Sequence, residues 1–128
     1  MAQGWTLNSV SPILPVRDVR ASLARYETLG FTPRIYGDPG TDDPLIYGFL
    51  HRGSVHLHLA LHSMLDPDAN TTAVYFYVDD PDTLYREWCA ANPDGCLEAP
   101  EDREWGMREM TYADPDGNLL RIGRILNR

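Results

Sequence analysis

The chain has 128 residues, 43% of them hydrophobic and 23% charged, which is typical of one compact globular domain and excludes a disordered or collagen-like chain. No apolar run approaches the roughly 20 residues of a membrane-spanning helix, and the N-terminus lacks the pattern of a secretory signal, so we expect a cytoplasmic protein without a membrane partner. The net charge of −8 disfavours nucleic acid as a ligand. The acidic side chains either attract a cationic small molecule or simply keep the surface soluble.

The first half of the chain predicts one helix among four strands. Asp18 is placed to cap the helix N-terminus, because its carboxylate accepts hydrogen bonds from free backbone N–H groups of the first turn. Apolar alternation and turn residues delimit the strands, which we place at residues 11–16, 32–36, 45–49 and 54–61. We predict a loop at the Gly- and Pro-rich residues 37–44 and a tight turn at 51–53.

The second half repeats the same order. Asp80 is the predicted N-cap of a helix over residues 81–91, with Pro81 in the first helical position, and Pro93 is the predicted stop. The expected strands are residues 72–78, 96–98, 107–113 and 119–125, with a turn at 114–117. Asp80 follows Asp18 by 62 residues, and Trp88 follows Tyr26 by the same 62. This constant offset indicates a duplicated strand–helix–strands unit.

Alternation along the strands assigns side chains to two faces. The aliphatic faces are expected to pack against the helices; they carry Val55, Leu57, Leu59, Leu61, Val74, Phe76 and Val78. His56 and His58 lie on the opposite face of one strand, and Tyr75 and Tyr77 on the opposite face of another. If these non-helical faces line one concavity, its wall consists of histidine, tyrosine and small residues.

Several of these residues have two interpretations. His56 and His58 are spaced to converge on a metal ion, or they are polar lining without a metal. Tyr75 and Tyr77 either line a site or make cross-strand aromatic packing. Trp105 lies in a polar loop, where it is either a stacking surface for a flat ligand or a cap on the core. Cys89, one of only two cysteines, is expected to be reduced and half-buried.

Three stretches resemble the glyoxalase/bleomycin-resistance (vicinal oxygen chelate) superfamily: Pro15-Val16-Arg17-Asp18-Val19, Leu29-Gly30-Phe31 and Asp114-Pro115-Asp116-Gly117-Asn118-Leu119. Asn70-Thr71-Thr72-Ala73, Leu84-Tyr85-Arg86-Glu87-Trp88 and Trp105-Gly106 are similar to its bleomycin-binding resistance proteins. The resemblance implies an α+β fold of two βαβββ modules, which form a curved sheet with a concave ligand cleft and helices on the outer face. It further implies a single domain over residues 1–128, with module one at about 8–62 and module two at about 70–126.

The enzymes of this superfamily place metal ligands at four strand positions, which in this sequence look like Ser11, His58, Ala73 and Arg121. Only His58 is a suitable ligand, because Ala73 offers no donor and Arg121 brings a cation to the place of the ion. The resemblance therefore implies a protein without a metal or other cofactor, and not an enzyme. The alternative is a metal-dependent lyase, isomerase or dioxygenase of the same superfamily.

The bleomycin-binding members act by sequestration, as homodimers whose clefts lie between the subunits and hold the flat part of the drug between aromatic rings. By this resemblance the chain binds a bleomycin-like cationic aromatic molecule and confers antibiotic resistance. The expected ligand-binding residues are Trp105, Tyr36, Tyr47, His58, Tyr75, Tyr77 and Arg121. The N-terminal arm that carries Trp5 is a candidate for crossing to the partner.

Overall fold

The computed structural model describes residues 4–36 and 44–126. In chain order its elements are β1 (Ile13–Val16), α1 (Val19–Thr28), β2 (Thr32–Ile35), β3 (Tyr47–Arg52), β4 (Val55–Leu61), a short 3₁₀ helix (Pro67–Ala69), β5 (Ala73–Tyr77), α2 (Pro81–Ala91), β6 (Cys96–Asp102), β7 (Met107–Ala113) and β8 (Leu119–Ile125). The predicted order of two βαβββ modules is confirmed.

The C-terminal ends of β3 and β6 differ most from the predicted strands, and smaller differences occur at the ends of β1, β2, β4 and β5 and at the start of β3. β3 continues through His51 and Arg52, which pair with His56 and Val55 of β4, so the predicted turn at 51–53 is wrong and the turn lies at Gly53 and the following serine. β6 extends to Asp102 and shifts register after Glu98, a bulge that alternation alone does not show. Most of the predicted loop at 37–44, namely residues 37–43, lies outside the described residues.

The strands form two four-stranded sheets with the same topology. The strand order is β1-β4-β3-β2 in the first sheet and β5-β8-β7-β6 in the second. In each sheet the first strand of the module pairs in parallel with the last one, and the other pairs are antiparallel. The α+β fold is thereby confirmed, with a curved arrangement that does not close into a barrel. The identical pairing of the two modules agrees with the 62-residue offset between Asp18 and Asp80.

Each helix begins at the predicted aspartate. The Asp18 carboxylate accepts a hydrogen bond from the Ala21 backbone N–H at 3.0 Å, and the Asp80 carboxylate accepts one from the Thr83 N–H at 3.1 Å. These bonds satisfy N–H groups that have no partner within the helix. α2 ends at Asn92, which adopts the left-handed conformation at φ 49°, one residue before the predicted proline stop.

The aliphatic face of each sheet packs under its helix, as predicted. Leu57 and Leu59 are fully buried, and Phe76 is nearly so. On the helices, Tyr26 and Trp88 fill equivalent core positions, with exposures of 0% and 1%. One hydrophobic core therefore runs through both modules. The helices lie opposite the histidine and tyrosine faces, which leaves those faces open.

The turn at residues 114–117 joins the two modules. Tyr26 of the first module donates its hydroxyl hydrogen to the buried Asp114 carboxylate at 2.7 Å. Arg17 donates to Asp116 at 2.7 Å, and Asn118 donates to the Pro15 carbonyl at 2.9 Å. Two of the motifs that carry the family resemblance are thus neighbours in space, and their polar residues hold the modules together.

Both cysteines lie at the surface. Cys89 and Cys96 are both free and exposed, so the expected half-buried state of Cys89 is wrong; it lies on the solvent side of α2, next to the buried Trp88. Within residues 4–36 and 44–126, no helix has the length and apolar character needed to cross a bilayer.

Candidate functional site

The predicted site residues fall into two groups, one on the open face of each module. On the first module, the Tyr47 hydroxyl and the His58 Nδ1 atom share a hydrogen bond of 2.7 Å. Phe49 packs edge-on against both rings, with ring-centre distances of 5.4 Å to Tyr47 and 5.0 Å to His58. The Arg34 guanidinium lies 4.8 Å from the centre of the Phe49 ring. This face is therefore an aromatic surface with a cation at its edge.

Sequence reasoning did not select Phe49, although its place in β3 contained the necessary signal. Residues two apart on a strand share a face, so the choice of Tyr47 implies Phe49 as well. A cavity of about 400 Å³ lies over this part of the sheet. It is lined by Thr32, Pro33, Arg34, Phe49, Leu50, His51, His56 and His58.

The second module presents Trp105 beside a pair of tyrosines. Trp105 lies in the turn between β6 and β7 and is 60% exposed. Tyr75 and Tyr77 lie on the same face of β5, with their ring centres 4.9 Å apart. Arg121 is opposite Tyr75 in the register of β5 and β8. Four of the seven predicted site residues are thus on one sheet and its adjoining turn.

Glu109 links Trp105 to Tyr75, and sequence reasoning missed it. One carboxylate oxygen, Oε2, accepts a hydrogen bond from the Tyr75 hydroxyl at 2.7 Å and another from the Trp105 indole N–H at 3.2 Å. Glu109 is only 4% exposed. Burial of Tyr75 and its bond to Glu109 raise the pKa of the tyrosine hydroxyl. The signal in the sequence was a charged residue between the apolar positions of a central strand.

Gly123 makes the bond between Tyr75 and Glu109 possible. Tyr75 is on β5 and Glu109 on β7, so the tyrosine side chain must pass over β8, which lies between them. It does so at Gly123, where an added Cβ would overlap the Tyr75 hydroxyl oxygen. A glycine at this position removes the obstacle. The second open face is therefore organised by contacts across three strands.

The acidic residues of the loop before Trp105 are mostly paired. Glu101 lies 3.1 Å from Arg103, and Asp102 lies 2.9 Å from Arg108. The Arg103 guanidinium is 6.0 Å from the centre of the Trp105 ring. The loop therefore offers a ligand less uncompensated negative charge than its sequence suggests, and Glu109 is the carboxylate in direct contact with Trp105.

The side chains at the four expected metal positions do not form a suitable ligand set. Ser11, Ala73 and Arg121 are poor ligands or none, and the Nδ1 atom of His58 is engaged by Tyr47. In the described part of the chain there is no group of three or more His, Cys, Asp or Glu residues arranged to hold an ion. A divalent ion requires several such donors. These residues do not fit the metal of the enzymes in the superfamily.

Within the described residues, no hydrogen bond or ring contact joins Tyr36 to either group, although the register of β2 and β3 brings it towards Tyr47. Tyr36 follows β2 and is 77% exposed. Among residues 4–36 and 44–126, no hydrogen bond, ion pair or ring contact joins the Tyr47–His58 group to the Tyr75–Trp105 group. The predicted lining is therefore divided between two open faces of the same chain.

This fold agrees with the comparison with known protein families. Residues 6–122 match the Glyoxalase/Bleomycin resistance protein/Dioxygenase superfamily. The chain belongs to this superfamily.

Among individual proteins, the chain is similar to bleomycin resistance proteins and bleomycin-binding proteins. It is 32% identical over 121 residues to a bleomycin resistance protein of Klebsiella pneumoniae, covering 90% of each chain. It superposes with a TM-score of 0.79 on the bleomycin resistance determinant encoded on the transposon Tn5, at 30% identity over 93% of this chain and 98% of that one. A bleomycin-binding protein in complex with bleomycin gives a TM-score of 0.77, at 32% identity over 95% of this chain and 100% of that one.

Proposed function

We propose that this protein binds a bleomycin-type glycopeptide antibiotic and sequesters it without chemical modification. The observation that carries the proposal is the exposed Trp105 indole, which Glu109 fixes at its edge beside Tyr75 and Tyr77. An aromatic ring held in one orientation contributes stacking energy to a flat ligand at little entropic cost. The similarity to resistance proteins and to a bleomycin complex supports the same ligand class.

The proposed site includes the seven residues selected from the sequence, with Glu109 and Phe49 added. Trp105, Tyr75 and Tyr77 supply the stacking surface of the second module, and Tyr47, Phe49 and His58 that of the first. Tyr36 and Arg121 belong to the rim.

The proposal includes a homodimer, because the two aromatic faces of one chain are separate. A partner related by a two-fold axis brings the first face of one chain to the second face of the other, and each resulting cleft then has two aromatic walls. The N-terminal arm supports this arrangement, since Trp5, Leu7 and Val10 are 71%, 93% and 88% exposed. The expected cytoplasmic location and the organisation as one domain are parts of the same proposal.

A titration followed by recovery of the drug tests sequestration. Addition of metal-free bleomycin is expected to quench tryptophan fluorescence with saturation, and mass spectrometry of the recovered antibiotic is expected to show its original mass. Recovery of a changed mass contradicts sequestration. Metal analysis of the purified protein separates the enzyme alternative: stoichiometric zinc, nickel or iron retained through dialysis would favour a metal-dependent lyase, isomerase or dioxygenase.

A further inference from the structure

Glu109 is a nearly buried carboxylate whose hydrogen-bond donors are both neutral. The Tyr75 hydroxyl and the Trp105 indole N–H bind its Oε2 atom, and no ion pair of Glu109 occurs within the described residues. A buried charge is ordinarily paired with an opposite charge, because desolvation of an isolated ion is costly. At 4% exposure, the Glu109 carboxylate therefore has no cation in direct contact among the described residues, and a cationic group of a ligand would supply one.

The second oxygen of Glu109 is available for that cation. Oε1 accepts no hydrogen bond from a described residue. In the described part of the chain, the fully buried side-chain polar atoms without a partner are the Nε atoms of Arg25 and Arg103, so Oε1, which is not among them, is not fully buried. It belongs to the same carboxylate that holds the edge of the Trp105 ring. A group that reaches Oε1 thus lies directly beside the stacking surface.

Two arginines near this carboxylate, Arg103 and Arg108, pair with other acidic side chains. Arg103 lies over the Trp105 ring and pairs with Glu101 at 3.1 Å. Arg108 pairs with Asp82 and Asp102 at 2.8 Å and 2.9 Å. Arg121 is exposed opposite Tyr75, where its charge opposes the rise in the Tyr75 pKa, and it forms no ion pair with a described residue. Neutralisation of Glu109 by a ligand therefore displaces none of the ion pairs at this end of the sheet.

We propose that Glu109 determines the specificity of the site. Its carboxylate binds a cationic group of the ligand next to the flat part that stacks on Trp105. This inference rests on the proposed function and names the ligand chemistry that the second open face selects: an aromatic ring system with a positive charge at its end. Gly123 and Tyr75 act as positioning residues, because they hold the carboxylate in place from across the sheet.

The test compares two ligands that differ in the terminal charge. Calorimetric titrations at about 0.15 M salt, where long-range attraction to the acidic surface is screened, use bleomycin with its cationic tail and the same antibiotic with a neutral tail. The wild-type protein is expected to prefer the cationic form by about 10-fold or more. In Glu109→Gln, whose side-chain amide still accepts a hydrogen bond, the preference is expected to fall to about 2-fold or less.

Glu98→Gln is the matched control. Glu98 is an exposed glutamate on the neighbouring strand β6, where it accepts a hydrogen bond from Thr111 at 3.2 Å. Its substitution removes the same charge and is expected to leave the cation preference intact. Retention of the preference in Glu109→Gln, or its loss in Glu98→Gln, overturns the inference and leaves the proposed function standing. If Glu109→Gln does not fold, the test rests on the wild-type protein alone. Equal affinity of the wild-type protein for the cationic and the neutral form of the antibiotic then overturns the inference.

Absence of binding to either form of bleomycin contradicts the proposed function instead. A pair of simple probes then decides the inference on its own: N-methylacridinium, which is flat and cationic, and acridine, which is flat and neutral. Tighter binding of N-methylacridinium to the wild-type protein than to Glu109→Gln supports the role of Glu109, and equal binding overturns it.

Discussion

The Trp105 indole is held by a hydrogen bond at its edge, while 60% of its surface remains exposed. Trp105→Ala is expected to weaken bleomycin binding by about 10-fold or more, because an aromatic residue at the centre of a site commonly carries a large share of the binding energy. Trp105→Phe keeps an aromatic ring but loses the N–H group that donates to Glu109, so it is expected to bind with intermediate affinity. Calorimetry on the three proteins checks this order. Wild-type affinity in Trp105→Ala would place the ligand elsewhere.

Tyr26 makes one of the buried polar contacts between the modules. Tyr26→Phe removes the hydroxyl that donates to the Asp114 carboxylate at 2.7 Å in a buried position. The free energy of unfolding is expected to fall by about 1–3 kcal/mol, the usual cost of a lost buried hydrogen bond to a charged group. Urea unfolding measures the change. Tyr36→Phe is the matched control, since Tyr36 is 77% exposed and its substitution is expected to leave stability unchanged.

At the scale of the elements, the capping aspartates make the helix boundaries predictable. Asp18→Ala removes the bond to the Ala21 N–H and is expected to lower the free energy of unfolding by about 1 kcal/mol. Asp18→Asn retains a side-chain oxygen in the same place and is expected to be nearly neutral. Thermal or urea unfolding of both variants tests the cap. Equal losses in the two variants would show that the carboxylate charge, not the hydrogen bond, matters at this position.

The elements also show why the fold was easier to predict than the site. Alternating apolar residues and the two N-caps depend on neighbours in the sequence, so the helices and most strand boundaries followed from local pattern. The contact of Tyr75 with Glu109 depends on the order β5-β8-β7 and on a glycine in the middle strand. No short stretch of sequence contains that information. The bulge in β6 could not be predicted either, because it is defined only by the pairing of β6 with β7.

At the scale of the whole molecule, three tyrosines make stability sensitive to alkaline pH. Burial, first of all, raises the pKa values of Tyr26, Tyr75 and Tyr112 above the ordinary 10.0. Above about pH 10 the folded chain therefore holds protons that the unfolded chain has lost. The resulting stabilisation is complete below pH 10 and is lost as the pH rises through the folded-state pKa values. Urea unfolding at increasing pH is expected to show this decline, less steep in Tyr26→Phe. A constant free energy of unfolding above pH 10 would contradict it.

The proposed dimer is a second property of the whole molecule. Sedimentation at micromolar concentration is expected to give twice the chain mass of 14.5 kDa. Deletion of residues 1–10, which carry the exposed Trp5, Leu7 and Val10, is expected to weaken association. If the wild-type protein sediments with the mass of a single chain, the proposed dimer is contradicted.

Calorimetric titration of the wild-type protein with metal-free bleomycin measures directly whether this protein binds the antibiotic. Saturable binding of one antibiotic per chain is expected, with an affinity that falls as the salt concentration rises because part of the attraction is electrostatic. If folded protein in the calorimeter shows no binding at about tens of micromolar antibiotic, the proposed binding of bleomycin is contradicted.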